Sequence, residues 1–323
     1  MSTDMERAIA RVLADAGPGD LAPAVRDISA RYRDGSGPAL RSSADVLAYV
    51  ATRLPATSAS ARLAMQQVAH LMPSFSPSSQ LDLGAGPGAA AWAAAQVWPS
   101  IRTVVLQEAD ERMIAAGEQL VAGAFEGWTW QRGDVRSALG TADLVTATYA
   151  LGELEGTEAR DVALRAWETT TGCLLIVEPG TPVGFALIRD LRDHLIGGGA
   201  ELIAPCPNAD ECPIAGDDWC HFAARVSRSN LHRQLKGAER SFEDEKFSYV
   251  AFAGAGAGAI AGVTRAAGRI VRRPLRRRHF VDLCICRAGE IQRVGIGHSH
   301  PSYKAVSKLA WGDAVPGPLL EQS

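Results

Sequence analysis

The sequence predicts an α/β fold around a parallel sheet, and three observations predict it. From residue 80 onward, short apolar runs alternate with Ala-rich helical stretches. One run, Cys173-Leu174-Leu175-Ile176-Val177, is apolar at every position, as a strand covered on both faces should be. The first run, Leu81-Asp82-Leu83, leads straight into Gly84-Ala85-Gly86-Pro87-Gly88 and a further Ala-rich stretch, the strand, turn and helix that open a βα unit.

The elements follow in order. Ala8, Ile9, Val12 and Leu13, and later Val46, Leu47, Val50 and Leu54, recur at helical spacing, so residues 1–75 are expected to form a helical N-terminal region. Ser74-Phe75-Ser76-Pro77-Ser78-Ser79 breaks that pattern. Strands are expected near 80–83, 102–107, 143–148 and 173–177, with helices near 88–97, 110–123 and 157–170. These form a Rossmann-like core over 76–200. Residues 201–323 are expected to hold a cysteine-bearing, basic region that completes the sheet. Within it, the Gly-Ala run Ala253 to Gly258 reads as a flexible loop. His279-Phe280-Val281-Asp282-Leu283-Cys284-Ile285-Cys286 alternates like a strand, with Gly289 turning into a second one.

Composition bounds the classes. The chain has 323 residues, 47% hydrophobic and 21% charged, which excludes wholesale disorder, collagen-like sequence and a disulfide-dense secreted scaffold. No apolar run approaches the span of a bilayer, and Met1-Ser2-Thr3-Asp4-Met5-Glu6 has no signal-peptide character, so the expected address is the cytoplasm, with no membrane partner. There the six Cys would be reduced or metal-bound. The net charge of −3 hides an asymmetry, because residues 225–308 carry +11 and the remainder −14. The basic part peaks at Arg272, Arg273, Arg276, Arg277 and Arg278, which reads either as a polyanion-facing surface or as a solvated loop.

The glycine turn carries the first chemistry. Glycine is required where the backbone takes positive φ or lies directly against a ligand. Gly84, Gly86 and Ala89 also satisfy G-x-G-x-x-G/A, which leaves a dinucleotide open. Further acids follow: Asp82 two residues before Gly84, Glu108 ending the next strand, and Asp134 in Arg132-Gly133-Asp134-Val135. Asp143 to Leu154 then supplies a fourth strand and its loop, including Tyr149. The set resembles motif I and the acids that follow it in class I methyltransferases. That resemblance implies S-adenosylmethionine (SAM) held by Asp82, Gly84, Ala85, Gly86, Gly88, Glu108, Asp134 and Tyr149. Thr148-Tyr149-Ala150-Leu151 offers no polar clamp for a base, so no catalytic residue is named; methyl transfer from a sulfonium can proceed by positioning alone.

Cys206, Cys212 and Cys220 follow a C-x5-C-x7-C spacing in polar turn sequence, unlike Cys173 inside its apolar strand. Cys284 or Cys286, on one face of the later strand, can supply a fourth thiolate. Four thiolates suit Zn²⁺ or an iron–sulfur cluster. Pro205-Cys206-Pro207, Glu211-Cys212-Pro213, Asp218-Trp219-Cys220-His221-Phe222 and Glu243 to Val250 follow Leu81–Gly88 and Val177-Glu178-Pro179-Gly180; Ser307 to Asp313 closes the series. Over residues 30–315 the chain resembles the methyltransferase-like family of mitochondrial small-ribosomal-subunit assembly factors and its bacterial relatives. The resemblance implies a class I methyltransferase fold, a [4Fe–4S] cluster on four Cys, and association with small-subunit rRNA, with or without catalysis. Cys284 is preferred as the fourth ligand because it follows Leu283 as the family's ligand follows a Leu.

Overall fold

The computed structural model describes residues 3–34, 40–137, 139–255 and 265–315. Four helices come first: α1 (Thr3–Val12), α2 (Pro18–Asp34), α3 (Ser43–Thr52) and α4 (Leu54–Leu71). Strands and helices then alternate as β1 (Ser79–Leu83), α5 (Ala89–Val97), β2 (Thr103–Glu108), α6 (Glu111–Val121), β3 (Trp128–Arg132), β4 (Ala142–Thr148), α7 (Gly156–Glu168), β5 (Thr170–Pro179) and α8 (Pro182–Gly197). After these come β6 (Leu202–Ala204), β7 (Phe222–Ser227), α9 (Asn230–Lys236) and β8 (Phe242–Ala253). The last group is β9 (Gly268–Ile270), β10 (Leu275–Arg277), β11 (Phe280–Arg287), β12 (Glu290–Gly297), α10 (Tyr303–Val306) and β13 (Ala314–Val315).

Local chemistry sets several of these ends. Ser42 accepts from the Asp45 amide to start α3, Asp110 from Arg112 to start α6, and Thr181 from Gly184 to start α8, where Pro182 fills the first turn. β5 is buried through Gly172–Glu178, so its unbroken apolar run is explained by neighbours on both faces. Ala288 and Gly289 both take positive φ between β11 and β12, as a two-residue hairpin turn requires.

The main sheet runs β3-β2-β1-β4-β5-β8-β6, with β7 also paired to β8. β1 to β5 are mutually parallel, whereas β8 runs antiparallel to β5, β6 and β7. This is the class I methyltransferase architecture, a doubly wound parallel sheet with one reversed strand near its edge. The expected strands near 80–83, 102–107, 143–148 and 173–177 are β1, β2, β4 and β5, and the three helices between them are α5, α6 and α7. Sequence reading missed β3, β6, β7 and β8. β3 is a half-exposed edge strand, and β8 is polar over its first half, where β7 is its partner, and apolar where β5 and β6 flank it.

A second sheet, β10-β11-β9-β13 with β12 on β11, encloses its own small core of Ile270, Val281, Leu283, Ile285, Ile296 and Val306. α4 packs against α5, and its Ala61, Ala64, Met65 and Val68 share one core with Ala90, Ala93 and Ala94 of α5. No described helix is long and apolar enough to cross a membrane. The Gly-Ala run ends β8 at Ala253; from Gly256 it lies outside the described residues.

Candidate functional site

Strand order reverses between β1 and β4, and ligands of doubly wound sheets bind at such a reversal, beyond the C-terminal strand ends. A cleft of about 440 Å³ opens there. Gly84 and Gly86 line it from the turn after β1, Glu108 from the end of β2, Asp134 from the turn after β3, and Tyr149 from the end of β4. Five of the eight residues expected at a donor site therefore share one cleft. Asp82, Ala85 and Gly88 do not line it.

The turn is shaped by backbone constraint. Gly84 has φ +62°, and a Cβ there would sit 2.6 Å from the Ala150 Cβ, so only glycine lets the turn pass the loop after β4. The Gly86 amide donates to Glu108 Oε2 at 2.7 Å, and Trp130 Nε1 donates to the Gly86 carbonyl at 3.1 Å. The amides of Ala109 and Asp110 donate to Glu108 Oε1 at 2.9 and 2.8 Å. Glu108 is thus a fixed acceptor on the cleft wall. Asp134 closes its own turn, accepting from the Arg136 amide at 2.8 Å and pairing with the Arg136 guanidinium at 3.1 Å.

Asp82 sits behind the turn, 1% exposed, accepting from Thr146 Oγ1 at 2.7 Å while Oδ2 has no partner. Burial pushes its carboxyl up to about 7 against the lowering effect of Thr146, with a smaller push from Glu108. Glu178, at the end of β5, receives the amides of Leu151 and Gly152 at 3.0 and 3.2 Å and so holds the loop after β4; burial pushes its carboxyl up to about 8.

Tyr149 carries φ +57°, a conformation that is unusual for a bulky residue and marks a constrained position. Its hydroxyl donates to Glu245 Oε1 at 3.1 Å and lies 3.3 Å from Ser60 Oγ. Glu245 in turn pairs with Arg53 through contacts of 2.7 and 3.2 Å, both side chains 13% exposed. Sequence reading missed Arg53, Glu178 and Glu245 as functional positions. Glu178 and Glu245 fall inside the quoted family motifs, but a single Arg between two helices gives no signal of its own.

The cysteines meet elsewhere. Cys206, Cys212, Cys220 and Cys286 line one cavity beside β8 and β9, mostly among apolar side chains, with Arg192 and Arg269 in its wall. Cys284, the fourth ligand preferred from the resemblance, does not line it. Both Cys are on the face of β11 opposite Val281, Leu283 and Ile285, but one strand repeat separates them along the strand. Only Cys286 stands in register with buried Arg269 of β9; Cys284 faces Arg293 of β12. Burial pushes the Cys206, Cys220 and Cys286 thiols up, so thiolates here need a compensating cation. Among the described residues, no three or more His, Cys, Asp or Glu side chains are gathered as a single metal ion requires. Cys173 is apart from all of these, buried in β5.

The arginine cluster divides. Arg272 pairs with Asp218 at 2.6 Å, next to the Cys220 segment, and Arg276 Nε donates to the Ser307 carbonyl at 3.1 Å. Arg273 reaches Asp244 only at 3.6 Å, while Arg277 and Arg278 are exposed without an ion partner among the described residues.

Comparison with known proteins places these features in a family. The family model described as mitochondrial small ribosomal subunit Rsm22 matches residues 43–316. The human mitochondrial ribosome assembly protein METTL17 is 26% identical over 291 residues, covering 84% of this chain and 62% of that protein. The Rsm22-cox11 tandem protein 2, mitochondrial, of Schizosaccharomyces pombe is 25% identical over 348 residues, covering 90% of this chain and 45% of that protein. This chain therefore spans about three fifths of the human relative's length and less than half of the yeast one's. Among solved structures, a Synechocystis magnesium protoporphyrin IX methyltransferase with bound SAH matches at 12% identity and TM-score 0.40, covering 70% of this chain and 93% of that chain. The N-methyltransferase NodS from Bradyrhizobium japonicum matches at 13% and 0.39, covering 58% and 93%. Likenesses so distant say nothing of substrate. The cytoplasmic expectation is corrected by the closer relatives: the matched family and its curated members are described as mitochondrial, which points to the mitochondrion and not the cytoplasm. With 43–316 matched by a single family model, the chain belongs to the Rsm22 family.

Proposed function

We propose that this chain is a SAM-binding, methyltransferase-like protein of small-ribosomal-subunit assembly that docks on small-subunit rRNA and holds a [4Fe–4S] cluster on Cys206, Cys212, Cys220 and Cys286. One observation carries the donor reading: the switch-point cleft is lined at once by Gly84 and Gly86, by Glu108 and by Asp134, from three separate places in the sequence. The close backbone approach allowed by the glycine turn suits the donor's amino-acid part, Glu108 a ribose hydroxyl and Asp134 the adenine amino group. When bound, SAM supplies an already activated methyl group, so alignment by the cleft is what the protein must add.

For the thiol cavity, four Cys in one lining support a four-thiolate site, and the family resemblance favours the [4Fe–4S] cluster, with zinc as the alternative. Exposed Arg277 and Arg278, with Arg273 beside them, support the rRNA contact. The working division of the chain is a helical region to residue 75, the donor-binding core to 200 and the cysteine and basic region beyond.

A second reading, a non-catalytic assembly factor in which SAM and the cluster are structural, is favoured by one observation. The Tyr149 hydroxyl is tied to Ser60 and Glu245, and burial with the Glu245 charge holds its pKa well above the ordinary phenol value, so it is no base. Immature small subunits incubated with the protein and methyl-labelled SAM separate the two. Label in rRNA supports catalysis; binding of SAM by calorimetry without label supports the structural role; absence of SAM binding removes both.

A further inference from the structure

Three hydrogen-bond donors without partners are buried around the thiol cavity. Arg192 Nε, Arg269 Nη2 and Tyr249 Oη each lack a partner, and all three residues line that cavity. Arg192 is 4% exposed, Arg269 1% and Tyr249 2%. The remainder of each guanidinium is occupied. Arg192 Nη2 donates to the carbonyls of Asn208 and Asp210 at 3.2 and 2.6 Å, and Arg269 donates to the carbonyls of Pro205 and Gly312 at 2.7 and 2.9 Å and to Gln67 at 2.6 Å. Those bonds anchor the segment that bears Cys206 and Cys212 and fix each guanidinium in direction. The atoms left over belong to residues that line the same cavity as Cys206, Cys212, Cys220 and Cys286.

Leaving a buried donor unmade is unfavourable, and Arg269 is buried with no carboxylate partner among the described residues, whereas Arg192 Nη1 pairs with the half-exposed Asp193 at 2.5 Å. Two of the three groups can only donate, so the missing partner is an acceptor of negative charge. Four thiols alone do not meet that need, because a thiol sulfur is only a weak acceptor. A cluster with four thiolates carries net negative charge and presents sulfur acceptors on every side. We infer that Arg192, Arg269 and Tyr249 are positioning residues that donate to the sulfurs of the iron–sulfur site and raise its reduction potential. The inference rests on the cluster reading above. One-electron reduction makes the site more negative, so donors and cations favour the reduced state.

The test is an EPR-monitored redox titration of the full chain purified without air, with dithionite supplying the electron. Tyr249→Phe removes only the hydroxyl and should lower the midpoint so that the reduced-to-oxidised ratio at fixed potential falls about threefold. Arg192→Met should lower that ratio about tenfold, equivalent to about 59 mV for one electron, and Arg192→Lys should recover part of it. Should Arg192→Met fail to fold, wild-type protein carrying ¹⁵N-arginine decides by ENDOR, where coupling of ¹⁵N to the reduced cluster is expected. Midpoints equal to wild type in both Tyr249→Phe and Arg192→Met, or no ¹⁵N coupling, overturn this inference and leave the cluster standing. Wild-type protein that holds zinc, or no metal, overturns the cluster reading and this one with it.

Discussion

The backbone amide of Gly86 donates to Glu108 Oε2 at 2.7 Å, so the glycine turn after β1 and the carboxylate that ends β2 form one rigid wall of the cleft. Residue 86 has φ +54°, where any Cβ strains the backbone by about 1–2 kcal/mol and a β-branched residue by more. Gly86→Val should therefore reduce SAM affinity below detection by calorimetry, and Glu108→Ala should weaken it at least tenfold. Unchanged affinity in Gly86→Val, or a wild-type preference for NAD, would remove the donor assignment.

Asp82 and Glu178 give the fold a pH signature. Burial raises their folded values from 3.8 and 4.5 to about 7 and about 8. A raised carboxyl keeps its proton in the folded state after the unfolded chain has released it. Its stabilising contribution is complete below the unfolded value, declines as pH rises above it, and is lost once pH passes the folded value. Denaturant titrations from pH 4 to 9 should show stability falling towards pH 8, with a shallower fall in Asp82→Asn and Glu178→Gln. Parallel profiles in all three proteins would show that neither carboxyl carries the dependence.

Arg53 and Glu245 bring the junction of α3 and α4 onto β8, with Tyr149 hydrogen-bonded to the pair. Removing one partner of a largely buried pair leaves the other charge uncompensated, at about 3–5 kcal/mol. Glu245→Ala should lower stability by about that amount and Tyr149→Phe by about 1 kcal/mol, the worth of one hydrogen bond. Thermal unfolding checks both, and a Tm for Glu245→Ala equal to wild type would mean that the pair is not formed in solution.

Within the arginine cluster, the exposed members should govern RNA affinity. Each phosphate contact adds about 0.7 to the slope of log affinity against log salt on single strands. The Arg277→Ala, Arg278→Ala double variant should flatten that slope by about 1.4. Arg272→Ala should change it little, while protease susceptibility over residues 204–222 rises because the Asp218 link is lost. A slope unmoved by the double variant would make the cluster a solvated surface.

Cysteine replacement sorts the thiols. Cys212→Ser and Cys286→Ser should lose the chromophore and its iron, whereas Cys284→Ser and Cys173→Ser should keep both, since neither lines the cavity. Iron loss in Cys284→Ser with retention in Cys286→Ser would reverse the choice between the two.

The sequence by itself determined the parts whose signal is local. β5 is legible because burial on both faces requires an unbroken apolar run, and the turn after β1 because positive φ at Gly84 and Gly86 requires glycine. Parallel β1 and β2 joined by α5 follow from alternation alone, and with them the meeting of Gly84 and Glu108 at the cleft; β3, whose following turn brings Asp134 there, is half-exposed and gave no such signal. Tertiary structure decided whatever depends on partners far along the chain. Arg53 and Glu245 are 192 positions apart, and neither carries a mark of the other. β8 changes from polar to apolar halfway because its neighbours change from β7 to β5 and β6, a fact of sheet order that no window of residues contains. Period-two alternation puts Cys284 and Cys286 on one face and cannot choose between them. What sets the two apart is the register of β11 against β9, where Cys286 and not Cys284 meets Arg269 at the cavity wall, which favours the proposal of Cys286.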